Sequence, residues 1–166
     1  MSMQPSHGSH SPNTVASDDG IGLRRRWMGL LARGEPSQLE LAWAGLPGRP
    51  TYRLVRKPEA GLFMIRARAG GTGQQFNLGE TAVSRCAVTT DQGYLGIGYV
   101  HGRHLRHAEL AAAFDGALQD ARLRAAIERE VLAPIAERIA EQDRLREIVS
   151  ASTKVEFFTL VRGEDT

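Results

Sequence analysis

A glycine-rich stretch in the middle of the chain has the residues best suited to binding a ligand. Residues 68–73 read Arg-Ala-Gly-Gly-Thr-Gly. Successive glycines allow several backbone N–H groups to point at one anion, and a neighbouring arginine supplies positive charge. We therefore predict a contact to an anion made by this loop and one later arginine, namely Arg68, Gly70, Gly71, Thr72, Gly73 and Arg85.

The same loop has a plainer interpretation. It lacks the Lys-Ser/Thr ending of a P-loop, and it connects two predicted strands rather than a strand and a helix. Glycines in such a connection also serve a backbone that needs positive φ. The sequence leaves a phosphate contact and a simple β connection both open.

Three histidines spaced by three residues are the next candidates. His101, His104 and His107 are followed closely by Glu109. His104 and His107 share a face if a helix has begun there, but a zinc site needs at least three converging ligands. Histidines at a strand–helix junction commonly serve as solvated or capping groups. We predict no metal site here.

Other reactive side chains do not form a recognisable catalytic set. Cys86 lies in a predicted strand and is interpreted as a small core residue, while Asp115 lies among alanines of a predicted helix and is interpreted as a surface residue. No Ser-His-Asp or Cys-His arrangement can be justified from the spacing. We predict no catalytic residue in this chain.

Composition bounds the class of protein. The 166 residues are 42% hydrophobic and 24% charged, which is ordinary for a globular domain. A single cysteine excludes an internal disulfide and suggests a reducing cytoplasm, and no apolar run is long enough to predict a membrane span. The net charge of +2 is too small to indicate a nucleic-acid partner. Residues 1–20 are predicted to be a disordered tail, leaving residues 21–166 as a single domain.

Two helices are predicted near the N-terminus. Residues 21–33 carry one apolar stripe, formed by Leu23, Trp27, Leu30 and Leu31. A second helix follows Gly34 and Pro36. Ser37 and Glu40 have the spacing of a capping box at its start.

The apolar period then changes to two, which predicts strands. We expect strands at residues 51–57 and 62–69 with a turn at 58–61, then shorter pairing at 76–78 after the glycine loop. Residues 81–89 and 94–101 are expected to form a hairpin around a turn at 91–93. These strands constitute a predicted antiparallel meander.

Helices return after the strands. One is predicted to begin at Arg103, and a second covers residues 123–149 with a kink at Pro134. Residues 155–161, which include Phe157 and Phe158, are predicted to form a closing strand. The predicted class is α+β: an N-terminal helical hairpin, an antiparallel β-meander, two C-terminal helical segments and a closing strand.

Five blocks in a fixed order carry a resemblance to a known family. They are Arg26-Trp-Met, residues 66–79, Thr81 with residues 84–88, Gly102-Arg103 with residues 107–109, and residues 155–163. Together they resemble the PhnG family, subunits of the bacterial carbon–phosphorus lyase system for phosphonate use. The likeness extends over about residues 23–163.

The resemblance implies a subunit of an obligate hetero-oligomer. PhnG-like proteins assemble with PhnH, PhnI and PhnJ into a core complex, and with PhnH, PhnI and the ATP-binding-cassette protein PhnL they support the first committed step. There a phosphonate oxygen of methylphosphonate displaces adenine from the ribose of ATP. ATP is thus a substrate of the complex, no cofactor is implied for this chain, and the iron–sulfur cluster and S-adenosylmethionine belong to a partner.

The resemblance leaves the role of this subunit open. It could be purely structural, its glycine loop could contact substrate phosphates and change turnover, or it could be a phosphate-binding regulatory module. A nucleic-acid-binding module has only the arginine content in its favour. The resemblance supplies no catalytic residue, and it implies structural or interface roles for His107, Glu109, Phe157 and Phe158.

Overall fold

The computed structural model describes residues 18–70 and 72–152. In chain order, the elements are α1 Asp18–Leu31, α2 Pro36–Gly45, β1 Tyr52–Arg68, β2 Gln75–Thr90, β3 Leu95–His101, α3 Leu105–Leu118, α4 Ala121–Ile127, a π-helical turn Glu128–Leu132 and α5 Ala133–Ser152. The predicted α+β class, with a helical hairpin, a meander and C-terminal helices, is confirmed. The predicted closing strand, with Phe157 and Phe158, lies outside the described residues.

The predicted apolar stripe of α1 is confirmed, because Trp27, Leu30 and Leu31 are buried. The helix begins at Asp18, three residues earlier than expected. The predicted capping box of α2 is wrong. The helix starts at Pro36, whose fixed φ suits the first helical position, so Ser37 already lies inside the first turn.

β1 is one strand of 17 residues, so the predicted turn at 58–61 is wrong. β1 lies at an edge of the sheet, where the missing N–H of Pro58 need not break the ladder. The register shifts between Leu54 and Arg56 and again between Arg56 and Glu59. These irregularities absorb the Pro58 segment without turning the chain back.

β2 is also continuous, and it pairs with β1 on one side and β3 on the other. The predicted interruption between residues 78 and 81 is wrong, because Gly79 and Glu80 pair with Ile65 and Met64 of the long β1. The predicted β2–β3 hairpin is confirmed. Gly93 has a φ of 85° in its turn, a conformation that favours glycine.

Helix α3 packs against the sheet at very close range. Eleven of its fourteen residues are buried. A Cβ on Gly96 would overlap the carbonyl oxygen of Ala112, and one on Gly98 would overlap that of Ala108. The two glycines of β3 therefore let the alanine-rich face of α3 lie directly on the strand backbone. Phe114 extends the core from α3 to Trp43 of α2, with ring centroids 5.0 Å apart.

The C-terminal helical segment is divided, as the proline predicts. Pro134 is the second residue of α5, and the π-helical turn lies directly before it. The N–H of Ala133 donates to the carbonyl of Glu128, five residues back. This wider turn accommodates a proline ring that would clash with an ordinary α-helical backbone. None of the helices in residues 18–152 combines the length and apolarity needed to cross a bilayer.

Candidate functional site

The predicted phosphate loop lies at the tip of a projecting β-ribbon. β3 pairs with β2 only as far as Val83, which faces His101, whereas β1 and β2 continue to pair from Leu62 and Ala82 to Arg68 and Gln75. We call residues 62–82 the arm. Its paired part extends for about 20 Å beyond the three-stranded sheet, at about 3.3 Å per residue.

The glycine loop at this tip is tightly turned and exposed. The N–H of Gly73 donates to the carbonyl oxygen of Ala69 at 2.9 Å, and a Cβ on Gly73 would overlap that oxygen. Gly70 has a φ of 61°. Both glycines are thus required by the turn itself, as the plainer interpretation proposes. Thr72 is exposed, and Gly71 lies outside the described residues.

Arginines near the tip are available to an anion. Arg66 and Arg68 are exposed, and within residues 18–70 and 72–152 neither side chain has a hydrogen bond or an ion pair. An unpaired guanidinium can form a bidentate contact with a phosphate or a carboxylate. The tip therefore combines exposed positive charge with exposed loop backbone.

Arg85 does not join this loop. It lies ten residues from Gln75 along β2, or roughly 30 Å at the spacing of a strand. There its Nε donates to Glu59 Oε1 at 2.7 Å, and Arg56 contacts the same oxygen at 2.7 Å. The hydrogen bonds from Arg56 and Arg85 lower the pKa of Glu59. The six residues predicted from sequence therefore do not form one site within this chain.

His107 is a buried structural residue. Its Nε2–H donates to the carbonyl oxygen of Leu31 at 2.8 Å, which joins α3 to the last residue of α1. Burial lowers the pKa of the imidazole from its ordinary value of 6.5. A neutral ring fits this position, because the single acceptor is a carbonyl that requires only one N–H.

Glu109 belongs to a polar cluster on the exposed side of α3. Its Oε1 accepts from Tyr52 Oη at 2.8 Å and lies 3.0 Å from Arg106. Arg106 also contacts both carboxylate oxygens of Glu40, at 2.6 and 2.9 Å. Partial burial and the bond to Glu109 raise the pKa of Tyr52. The cluster links α2, β1 and α3, and Arg106 contacts both of its carboxylates.

The prediction of Asp115 as a surface residue is wrong. Its carboxylate is fully buried and accepts four hydrogen bonds: two from Arg24 at 2.7 and 3.1 Å, one from Trp27 Nε1 at 2.7 Å and one from the Ile97 N–H at 2.8 Å. Arg24 Nη2 and Gln119 Nε2 also donate to the Leu95 carbonyl. These contacts occupy polar backbone groups at the outer edge of β3.

The remaining candidate residues do not converge. His101 Nε2 lies 2.8 Å from the hydroxyl of Thr81, and the His104 ring lies beside Gly102. The part of the chain that the structure describes has no group of three His, Cys, Asp or Glu residues able to hold a metal. Cys86 is buried as predicted, and burial raises the pKa of its thiol to about 11. A neutral thiol at this position is a packing group.

Comparisons with known proteins agree with the resemblance carried by the five sequence blocks. The family described as phosphonate metabolism protein PhnG matches residues 23–163. A curated relative from Rhizobium meliloti (strain 1021) is 43% identical over 151 residues, which cover 91% of this chain and 96% of the relative. That relative is the alpha-D-ribose 1-methylphosphonate 5-triphosphate synthase subunit PhnG.

Proposed function

Because this chain belongs to the PhnG family, we propose that it is a subunit of a multi-protein α-D-ribose 1-methylphosphonate 5-triphosphate synthase. In the proposed reaction, a phosphonate oxygen of methylphosphonate bonds to the anomeric carbon of ATP ribose, and the bond from that carbon to adenine breaks. The triphosphate stays on the ribose. The observation that carries the proposal is 43% identity to such a subunit across nearly the whole of both chains.

The proposed assembly is a hetero-oligomer in the cytoplasm. PhnH, PhnI and PhnL are the proposed partners for the transfer step, and PhnJ completes the core complex. The iron–sulfur cluster and S-adenosylmethionine of the later cleavage are assigned to PhnJ. ATP is then a substrate of the assembly, and no cofactor is assigned to this chain.

The chemistry is proposed to take place on other subunits. The buried titratable groups in the described part of this chain already have structural partners: Asp115 is held by Arg24 and Trp27, and His107 by Leu31. A general acid or base must reach the reacting group, within hydrogen-bonding distance. Buried side chains held in this way support a role in assembly and positioning.

A second candidate role is supported by the tip of the arm. The exposed, unpaired guanidinium of Arg68 stands beside the glycine loop, where it can reach a triphosphate bound in a partner. In this version the chain adds substrate binding to its structural role. Arg85 is omitted from this contact, because Glu59 holds it roughly 30 Å away along the strand.

The first experiment measures adenine release from ATP and methylphosphonate by the reconstituted partners, with and without this chain. The proposal predicts that adenine forms only when both methylphosphonate and this chain are present. Equal formation of the ribosyl product without this chain would refute it.

The second experiment separates the two roles. Arg68→Ala is compared with Arg53→Ala, which removes an exposed arginine at the other end of β1. If the loop contacts substrate, Arg68→Ala assembles normally but raises the KM for ATP several-fold, whereas Arg53→Ala does not. Equal kinetics for the two variants would exclude the substrate contact and leave only the structural role.

A further inference from the structure

The arm exposes apolar side chains on both of its faces. On one face lie Leu62 and Met64, and on the other lie Phe63, Ile65 and Phe76. Leu62 is 63% exposed and Ile65 is 40% exposed. A two-stranded ribbon with two open apolar faces is not a stable end state in water.

We propose that the arm inserts into a cleft of another subunit, and that the walls of this cleft close over both faces of the ribbon. The inference rests on the proposed function, since it requires a hetero-oligomeric assembly. A flat partner surface could cover one face only, and it would leave either Leu62 and Met64 or Phe63 and Ile65 in water. A cleft covers both.

The described part of the chain covers the arm only near its base, where the ring of Phe63 packs edge-to-face against that of Tyr99 with centroids 6.4 Å apart. Helix α3 packs on Ser84, Cys86 and Val88 of β2, which are buried, but burial ends at Val83. From there to the tip every residue of β2 is partly or fully exposed. The face that α3 covers therefore becomes open at the point where α3 ends, and the opposite face is partly open along the whole sheet, where Tyr99 is 47% exposed.

The β3 edge of the sheet and the edges of the arm differ in whether their backbone groups have partners. At the β3 edge, Asp115 accepts the Ile97 N–H, and Arg24 and Gln119 donate to the Leu95 carbonyl. Along the arm, both strands have an edge without a neighbouring strand among the described residues. An open edge with apolar faces is a template for pairing with another chain.

The charged residues of the arm indicate which groups the cleft must carry, and they argue against a second copy of this chain as the partner. The arm carries Arg66 and Arg68 near its tip and a single acid, Glu80, nearer its base. Two arms packed together would combine two net positive charges. The occupant that complements the arm is a different subunit, with apolar walls and negative charge at the deep end of the cleft.

The test uses one variant for each face of the arm and a matched control. Leu62→Glu and Ile65→Glu place a charge on opposite faces, and Leu41→Glu places the same charge at a 74%-exposed leucine of α2. Each variant is affinity-tagged and co-expressed with the partner subunits. We expect each arm variant to recover at least tenfold less partner than the wild type, and Leu41→Glu to match the wild type.

Three outcomes would overturn the inference. Full recovery with both arm variants excludes docking through the arm, and loss with only one of them indicates a flat surface. Sedimentation of the isolated wild type as a dimer that Ile65→Glu converts to monomer assigns the arm to a second copy. Because Leu62 and Ile65 are exposed, we expect both variants to fold. Circular dichroism of each purified variant tests this.

A charge-reversed pair tests the negatively charged end of the cleft. Arg66→Glu with Arg68→Glu is expected to lower partner recovery at least tenfold at low salt, and Arg53→Glu with Lys57→Glu, nearer the base of β1, to lower it much less. Equal effects of the two pairs would remove the negatively charged end of the cleft from the proposal. If the wild type itself recovers no partner, the proposed function is wrong. If the wild type and all arm variants recover the partner equally, only the inference that the arm docks in a cleft is wrong.

Discussion

The two ends of the β1–β2 hairpin differ in how far their side chains are covered by α3. Near the body, Ser84, Cys86 and Val88 are buried beneath α3. Farther along the hairpin on the same face, Leu62 and Met64 are exposed. The difference is the covering layer, since the arm extends beyond the reach of α3. On this face the body therefore buries its side chains against α3, whereas those of the arm stay open within the described part of the chain.

The buried side chains of Asp115 and His107 in the body have polar partners, whereas the two arginines near the tip of the arm do not. Asp115 has four donors, and His107 donates to the Leu31 carbonyl. Arg66 and Arg68 have no side-chain partner among the described residues. Buried polar groups need such partners, because each unsatisfied one is expensive to bury. The body is therefore expected to be sensitive to substitution in the isolated chain, and the arm only in the assembly.

The largest expected effect in the body is that of Asp115→Ala. It leaves the Trp27 and Ile97 donors unpaired and removes the carboxylate that holds Arg24. We expect the free energy of unfolding to fall by about 4 kcal/mol, measured by urea denaturation of the isolated chain. Glu59→Gln is the control, because its ion pairs are exposed and its midpoint should hardly move. Similar midpoints for both variants would contradict this account of the body.

A smaller loss is expected from Gly98→Ala. The added methyl group would overlap the carbonyl oxygen of Ala108, so β3 and α3 must separate. We expect a loss of about 3 kcal/mol in the same denaturation assay. Gly79→Ala in the arm meets nothing within 4 Å, and stability should stay constant or rise by up to about 1 kcal/mol. A comparable loss at Gly79 would show that the arm is packed in the isolated chain.

The smallest effect is a pH dependence due to His107. Because burial lowers its folded pKa, the unfolded chain takes up a proton first as the pH falls below about 6.5. The free energy of unfolding therefore decreases from pH 6.5 downward until the folded ring is protonated as well. His107→Gln keeps an N–H donor for Leu31 and removes this titration.

The difference between wild type and His107→Gln isolates that contribution from the other histidines. The stability advantage of the wild type should be largest above pH 6.5 and should shrink toward pH 5. Urea denaturation at half-unit intervals measures it. An advantage that stays constant from pH 8 to pH 5 would show that the imidazole is not buried as described.

Local sequence signals predicted the helical core and the hairpin but not the long strands. The spacing of Trp27 and Leu31 and the glycine at 93 are local signals, and both were interpreted correctly. Pro58 predicts a turn, and the prediction is wrong because the effect of a proline depends on whether its strand lies at an edge of the sheet. That property is set by tertiary structure.

The polar residues were harder to predict for the same reason. Asp115 lies among alanines, and its donors Arg24 and Trp27 are about ninety residues away in sequence. No local pattern indicates such a contact. Arg85 and the glycine loop are close in sequence, but an extended ribbon separates them. The five blocks identified the family, while the spatial arrangement of the candidate site required the structure.

The most direct test of the contrast between body and arm is backbone hydrogen exchange, measured on the isolated chain and on the assembled complex. The account predicts that amides of residues 62–82, apart from the loop, exchange fast in the isolated chain and at least a hundredfold more slowly in the complex. Amides of β3 and α3 should be slow in both. Arm amides that are already slow in the isolated chain, or that gain no protection on assembly, would contradict it.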